Sequence, residues 1–428
     1  MISRGAVSSV LSAPRLLVIA PHGSYRTSAF MQAARAMGVD VLLASEGKHS
    51  VISDYAEGLH INFRRPEEAL QHILLAASQR PFAAILGTDD STTLLAAAAS
   101  QRLGLAHNDP RSVELTQRKD LARVCLASGR VPVPEHRRLD LQSEIKPQIA
   151  DFNFPAVVKP VALSGSRGVI RVDNIEALVT ACRRIDLILQ GEQQLSADSR
   201  RFVLLEEYIP GSEVAVEGLL VNGALQLLTI FDKPEPLEGP FFEETYYISP
   251  SRLALAVQDE LRLTIQTACQ AYGLMEGPVH AECRINEKGI WILEVAARTI
   301  GGMCGRLLSL GIGQSLESLV IQHGLGLPVE IKTQQPAVGV LMIPIPRSGV
   351  FKRVEGILKA QRIKGIDEVN IQMPSGHPIQ TLPEGSSYLG FIFAQAETPT
   401  EVEAALREAH ACLNIVIDPL LPVSIQAQ

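Results

Sequence analysis

Two carboxylates, Glu282 and Glu294, stand in the stretch "VHAECRINEKGIWILEVAARTIGG" (Val279–Gly302), on two β-rich runs joined by a tight turn. What they can do depends on whether their side chains face each other, and the length of the turn decides that. A two-residue turn at Glu287–Lys288 sets Glu282 opposite Leu293 and sends Glu294 to the other face. A three-residue loop, Glu287-Lys288-Gly289, suits a type I turn with a G1 bulge, because Gly289 can supply the left-handed residue. Asn286 then pairs with Ile290, and Glu282 falls directly across from Glu294. On this register Val279, Ala281, Cys283, Ile285, Trp291, Leu293 and Val295 form an apolar face. The opposite face carries His280, Glu282 and Arg284 beside Glu294, Ala296 and Arg298.

Like charges opposed across a strand pair stand about 5 Å apart and repel, so something positive should lie near them. Hard carboxylate oxygens without a cysteine or a histidine pair suit Mg2+ or Mn2+ better than Zn2+. The competing reading of this hairpin alone is a solvated sheet face with Arg284 or Arg298 as ion-pair partner. Further along the chemistry, Lys159 ends the run "FPAVVK", and "SGSRG" (Ser164–Gly168) follows within a few residues. A glycine-rich tip can wrap phosphates with its N–H groups while a lysine supplies charge, although strand-end lysines and Gly/Ser turns also serve plain structure. Lys119 lies in the helical run "TQRKDLAR" and says little by itself.

The elements that must position these residues follow from periodicity. "RLLVIAPHGS" reads as a buried strand ending in turn residues, "RTSAFMQAARAMG" as a helix stopped at Gly38, and "VDVLLAS" as a second strand. "PFAAILGTDD" and "STTLLAAAASQRLG" repeat strand and helix, so residues 15–110 should form a parallel sheet with helices on both sides. No G-x-G-x-x-G follows the first strand, which gives no support to a dinucleotide site. "SVELTQRKDLARVCLASG" reads as one helix ending at Gly129. "FPAVVKPVALSGSRGVIRV" reads as two strands around the glycine loop, and "FVLLEEYIPGSEVAVEGLLVNGALQLLTIFDK" adds strands with a hairpin turn at Asn222–Gly223. "CGRLLSLGIGQSLESLVIQHGLG" is helical, and residues 335–420 are strand-rich again.

At 428 residues the chain exceeds one ordinary core, so two to four subdomains are expected. Hydrophobic content of 46% with 5% aromatics, 32 Gly and 26 Pro fits a soluble α/β protein. A net charge of −7 argues against nucleic acid as the main ligand. The six cysteines (Cys125, Cys182, Cys269, Cys283, Cys304, Cys412) form no CxxC pair and read as reduced thiols in the cytoplasm. "MISRGAVSSVLSAPR" has no apolar h-region and reads as a frayed start rather than a signal. No run reaches the ~18 apolar residues of a membrane span.

Taken in order, Lys119, Lys159 with "SGSRG", "LEEYIPGSE" (Leu205–Glu213), Glu282 and "LEVAAR" (Leu293–Arg298) resemble the ATP-grasp superfamily over about residues 15–325. The resemblance implies an α/β fold of an N-terminal βαβ domain (1–112), a small α+β lid with its linker helix (113–205), and a larger antiparallel-sheet domain with the metal carboxylates (206–334). A ligase-type subdomain (335–428) forms the C-terminal extension. ATP would lie between lid and large domain. Lys119 and Lys159 match the lysines on the nucleotide phosphates, and Ser164, Gly165, Ser166 and Gly168 match the loop closing over them. Glu206 matches a carboxylate facing the adenine amino group. Backbone at Glu207 and Ile209, around Tyr208, would read the adenine edge, Glu213 would meet the ribose, and Glu282 with Glu294 would bind Mg2+ or Mn2+.

Many ATP-grasp enzymes read E-x-N-x-R where this chain reads "EVAAR" (Glu294–Arg298), and with "GPVHAE" (Gly277–Glu282) this looks like the L-amino acid ligase branch. On that resemblance Ala296 leaves room for a substrate's α-carbon, or is a neutral change compensated nearby. Arg298 and Lys159 would be catalytic, Arg298 as the planar clamp on a carboxylate or a leaving phosphate. Glu243, Glu244, Tyr246 and Tyr247 in "GPFFEETYYISPS" could line an amino-acid pocket, with Glu244 on an ammonium group, or anchor a surface loop. His280 and Gly301 complete the substrate candidates; His280 reads equally as a hydrogen-bonded structural histidine. Lys233 is a minor candidate against an exposed turn lysine. His22 and Asp89–Asp90 end parallel strands, where ligands bind in such sheets, and otherwise are ordinary turn residues.

The expected activity is ATP-dependent amide formation between amino acids or similar small molecules, with ADP and phosphate released. A bicarbonate-activating carboxylase or purine-pathway ligase is the alternative, and a nucleotide-binding regulatory module without turnover is the other class. Expected partners are small molecules and a homodimeric copy, with no nucleic acid and no membrane.

Overall fold

The structure, a computed structural model, describes residues 13–46, 57–331 and 336–420. The frayed start expected from Met1 lies, up to residue 12, outside the described residues. The chain divides into two compact units: Met1–Pro110 with Glu317–Val329, and Arg111–Leu316 with Glu330–Gln428.

In the first unit, β1 (Arg15–Ile19), α1 (Arg26–Ala36), β2 (Asp40–Ser45), β3 (Glu57–His60), α2 (Pro66–Gln79), β4 (Ala84–Gly87) and α3 (Asp90–Leu103) alternate as the periodicity predicts. The strands pair in parallel in the order β3-β2-β1-β4. Asp89 caps α3 through a capping box and accepts from Ser24 at 2.7 Å and Arg26 at 2.8 Å. Its carboxylate is thereby committed to holding the turn.

The predicted single helix ending at Gly129 is two helices, α4 (Pro110–Gln117) and α5 (Lys119–Ser128). Arg118 between them is extended (φ −122°, ψ 98°), its guanidinium bonded to Asp120 at 3.0 and 2.8 Å. That break frees the Lys119 N–H to bond Val161 O at 2.8 Å, which ties the start of α5 to the chain beyond Lys159.

The second unit continues with β5 (His136–Asp140), α6 (Ile145–Gln148), β6 (Ala156–Pro160), β7 (Ile170–Val172), α7 (Ile175–Gln190), α8 (Ala197–Arg201) and β8 (Phe202–Glu207). These strands form an antiparallel sheet, β5-β8-β6-β7. Leu178, Ile185 and Leu189 of α7 bury against Val158, Val203 and Leu205. The glycine loop is the β6–β7 connection, as expected.

Then come β9 (Ser212–Val221), β10 (Ala224–Lys233), β11 (Tyr246–Ser249), α9 (Leu255–Tyr272), β12 (Gly277–Asn286), β13 (Gly289–Ala296), α10 (Arg306–Ile312), α11 (Leu316–Gly324) and β14 (Ala337–Ile343). The chain closes with β15 (Gly349–Glu355), α12 (Ile357–Ala360), β16 (Ile366–Ile371), β17 (Pro378–Ile379), β18 (Gly390–Ala396), α13 (Pro399–Ala411) and β19 (Asn414–Asp418). One antiparallel sheet runs β13-β12-β9-β10-β11-β14-β18-β16, and β17-β15-β19 form a small one. The β9–β10 hairpin turns at Asn222–Gly223, both at positive φ (50° and 78°), the two-residue turn that the Asn-Gly pair favours. Leu261, Ile265 and Cys269 of α9 pack on Val214, Val216, Cys283 and Val295, so one sheet face is filled by a helix and the other is left for polar side chains.

The hairpin of β12 and β13 corrects the predicted register in its cause while keeping the pairing of interest. Asn286 pairs with Gly289, so the turn is the two-residue Glu287–Lys288. The ladder then slips by one between Glu282 and Cys283: Cys283 meets Ile292, Leu293 is the extra residue, and Glu282 meets Glu294. The bulge therefore sits inside the strand rather than in the loop. Ile290 and Ile292 enter the core where Trp291 and Leu293 were expected, because both isoleucines lie on the turn side of the bulge.

Candidate functional site

Strand alternation assembles the site. Val214 and Val216 face the α9 core, which turns Glu213, Ala215 and Glu217 the other way. Lys233 lies beside Glu213 on β10; His280, Glu282 and Arg284 follow on β12, with Glu294 and Ala296 on β13. Around the opposed Glu282 and Glu294 the charges fall into two groups.

The first group is cationic. Lys119 Nζ lies 3.1 Å from Glu294 and donates to Leu163 O at 2.8 Å. Lys159 and Arg123 both hold Glu206, Lys159 at 2.5 Å, and Arg123 also donates to Leu293 O at 2.6 Å, pinning the bulge. Lys159, Arg123 and Glu206 are all buried. Burial pushes Glu206 up, but Arg123 and Lys159 outweigh it and hold the carboxyl down at about 2. Burial likewise opposes ionisation of Glu294, and Lys119 with Arg298 brings it to about 2. Lys159 is pushed down by burial and by its neighbours Arg123 and Lys119, against the pull of Glu206. The directions agree: Lys119, Lys159 and Arg123 face two carboxylates, Glu206 and Glu294, and positive charge is in surplus.

The second group is carboxylate-rich. Lys233 Nζ lies 2.9 Å from Glu213, 2.6 Å from Glu244 and 3.3 Å from Glu282. The alternative of an exposed turn lysine is thus wrong, since Lys233 ends a strand and is 6% exposed. Arg284 donates to Glu213 at 3.0 Å and to Ile209 O at 2.7 Å, so it pairs with Glu213 rather than with the opposed glutamates. Burial raises Glu244, with Glu282 adding to it against the pull of Lys233, to about 7. The carboxylates drive Lys233 well up in spite of its burial. Lys233 and Arg284 face three carboxyl groups, Glu213, Glu244 and Glu282, of which Glu244 is the one held close to neutral. Glu213, Glu244 and Glu282 each offer an oxygen within 4.8 Å of the others; the ammonium of Lys233 lies among them.

The donor set suits a hard divalent ion. Glu282 and Glu294 are opposed, offer only oxygens, and keep 20% and 28% of their side-chain surface exposed. Ammonium groups already approach both, so a cation there meets carboxylates that the fold holds in place.

The glycine loop has left-handed residues at Gly165, Ser166 and Gly168. It is held from the C-terminal side: the Gly168 N–H donates to Pro383 O at 2.9 Å and Arg167 to Glu384 O at 2.8 Å. Arg184 binds both oxygens of Glu384 at 2.5 and 2.9 Å.

Several predicted residues part company. Tyr247 donates to Glu244 at 2.6 Å, but Tyr246 points to the opposite face and joins the core under α13. The four residues Glu243, Glu244, Tyr246 and Tyr247 therefore do not line one pocket, because the pleat divides the two tyrosines. Ala296 is buried across from His280. Arg298 donates to Thr299 O at 3.0 Å, and Gly301 lies five residues past the end of β13 at Ala296, half-buried. Glu207, Tyr208 and Ile209 leave β8 for β9, with Tyr208 stacked near Phe242 and Arg284.

Residues not anticipated are Arg123, Glu217 and Tyr388. Tyr388 donates to Glu244 O at 2.9 Å. Glu217 is fully buried and takes the Ile300 N–H at 3.2 and 3.1 Å, with His280 Nδ1 at 3.3 Å. The signal for Glu217 was available: two steps of strand period from Glu213 put it on the same face.

Comparison with known proteins bears on this arrangement. Residues 152–306 match a model of the ATP-grasp domain, 31–107 the ATP-grasp N-terminal domain, and 341–418 the L-amino acid ligase C-terminal domain 2. The chain is 28% identical over 370 residues to carnosine synthase 1 of Gallus gallus, covering 78% of this chain and 39% of that protein. It is 25% identical over 321 residues to the uncharacterized protein y4rH of Sinorhizobium fredii, covering 75% and 65%. The chain thus spans less than two thirds of the length of both relatives. The crystal structure of L-amino acid ligase from Bacillus licheniformis superposes with a TM-score of 0.79 at 24% identity, covering 95% of this chain and 99% of that one, which establishes the fold.

Proposed function

The chain belongs to the ATP-grasp superfamily, and from that premise we propose that it is an ADP-forming carboxylate–amine ligase joining amino acids or similar small molecules. One observation carries the reading: a cation-rich group and a carboxylate-rich group meet at the opposed Glu282 and Glu294. The first suits the phosphates of ATP, the second an ammonium group.

In this reading Lys119, Lys159 and the Ser164–Gly168 loop hold the phosphates. The backbone of Glu207 and Ile209 reads the adenine edge, and Glu213 takes the ribose. Glu206, already shared by Lys159 and Arg123, keeps those cations in place beneath the nucleotide. Glu282 and Glu294 would hold Mg2+, which supplies charge neutralisation on the phosphate oxygens. A substrate carboxylate oxygen attacks the γ-phosphorus, and the bond to the ADP oxygen breaks. Arg298 clamps the reacting carboxylate and later the departing phosphate. The second substrate's amine, directed by Glu244 and Tyr247, attacks the acyl carbon. A C–N bond forms, phosphate leaves with the C–O electron pair, and the nitrogen gives up its proton to the departing phosphate. A closed glycine loop keeps water from the acyl phosphate.

The four-part division at residues 112, 205 and 334, a homodimer and a cytoplasmic location belong to the same proposal. No described helix is long and apolar enough to cross a membrane. The test is ADP release over pairs of the twenty amino acids, with the condensed product identified by mass. Pair-dependent ADP release with an equal amount of phosphate is expected. Release driven by bicarbonate alone, or ATP binding that no pair turns into ADP, overturns the assignment.

A further inference from the structure

Glu217 is a carboxylate with no exposed surface in the middle of β9, the central strand beneath the site. Burying such a group costs free energy that an aliphatic residue at the same position would not. Its contacts are specific. Both oxygens lie on one backbone donor, the Ile300 N–H, at 3.2 and 3.1 Å. Oε2 is also 3.3 Å from His280 Nδ1, and the other nitrogen of that ring is 3.5 Å from Glu282 Oε1. Glu217 therefore joins two things that the sequence keeps apart: the strand bearing Glu282, and the segment Arg298–Gly302 that leaves the strand bearing Glu294.

That segment needs an anchor. Gly302 and Met303 follow at φ 62° and 57°, consecutive left-handed residues, the second without glycine's freedom. A Cβ on Gly302 would come 2.3 Å from Met342 Sδ, so the chain passes close to its neighbour there. Backbone of this kind persists only where surrounding groups determine it.

We infer that Glu217 is a positioning residue for the substrate half of the site: by fixing the Ile300 amide it sets the Arg298–Gly302 segment. It touches neither substrate. Its effect should therefore reach the acid or amine substrate and spare the nucleotide, whose cationic group is built from Lys119, Lys159 and Arg123. The inference rests on the ligase reading for its kinetic consequence, and its structural core can be tested without it.

Three proteins are compared: wild type, Glu217→Leu, which removes the acceptor at similar volume, and Glu217→Gln, which keeps an acceptor oxygen. Hydrogen exchange of the peptide covering residues 298–302 is read first. At least a tenfold faster exchange there in Glu217→Leu is expected, with the peptide around Ser164–Gly168 unchanged and near-wild-type protection restored in Glu217→Gln. In steady state, Glu217→Leu should raise KM for the carboxylate substrate at least tenfold while KM for ATP stays within twofold, and Glu217→Gln should recover most of the loss. Unchanged exchange at 298–302, or exchange rising equally throughout the protein, overturns the inference. So does a parallel rise of both KM values. If wild type releases no ADP with any amino-acid pair, the ligase reading falls and the exchange result alone decides for or against Glu217.

Discussion

Glu294 is held by Lys119 at 3.1 Å and keeps more than a quarter of its side chain exposed, so it is fixed yet reachable. Replacing it with Gln preserves shape and removes the charge. Glu294→Gln should cut ADP release at least ~100-fold, the scale of losing one charge stabiliser in a closed site, and circular dichroism should report an intact fold. Turnover within tenfold of wild type would remove Glu294 from the phosphate chemistry. Glu206 makes a different case because it is buried beneath two cations. Its carboxyl sits near 2 against an ordinary 4.5. A depressed acid contributes stability that is complete above the unfolded value and is lost as pH falls through the folded one. The contribution is on the order of 3 kcal/mol. The urea midpoint of wild type should therefore fall as pH drops from about 4.5 toward 2, and Glu206→Gln, less stable at neutral pH because Lys159 and Arg123 lose their partner, should show a shallower acid slope. Parallel slopes would speak against the assignment. Glu206 was legible as a strand-end carboxylate; that Arg123 shares it was not.

Elements show where local patterning stops. Alternation in β12 and the Asn222–Gly223 turn are local and were readable from residue types, whereas in β13 the residues on the turn side of the bulge fell on the face opposite to the one expected. The bulge at Leu293 was not, because its anchor is Arg123, 170 positions away in the chain. A loop-based bulge and a strand-based one bring Glu282 to the same partner, so the pairing alone could not tell them apart. The helix break at Arg118 is likewise non-local, since it goes with a bond from Lys119 N–H to Val161 O that periodicity does not encode. The glycine loop yields a prediction at this scale. Arg184 grips Glu384 with two of its three nitrogens, Gly168 bonds Pro383 O and Arg167 bonds Glu384 O, so the segment around Glu384 clasps the loop. Arg184→Met should loosen that clasp and let water reach the acyl phosphate. ADP release without condensed product should rise at least threefold relative to wild type, while the fold stays intact. A product-to-ADP ratio equal to wild type would show that the clasp does not guard the reaction.

Over the whole molecule, the two charge groups make stability depend on what they bind. Ligands that bind only the folded chain raise its midpoint by mass action, about 2.7 kcal/mol at a hundred times Kd. ATP with Mg2+ should therefore raise Tm, and a chelator should reverse most of that shift while leaving the nucleotide-free Tm unchanged. A Tm insensitive to nucleotide would contradict the cationic group as its seat. The sequence by itself determined the residue types, the βαβ opening and the Asn222–Gly223 turn, because each rests on period or on short-range turn chemistry; the ordered set of Lys119, Lys159, Glu282 and Glu294 rested on resemblance to a family. Only the tertiary structure decided that Lys233 lies among three carboxylates, that Glu217 secures Ile300, and that Glu384 holds the glycine loop's neighbour. Those pairings join groups tens to hundreds of positions apart, and a charge finds its partner through the packing of strands, which spacing along a chain does not specify.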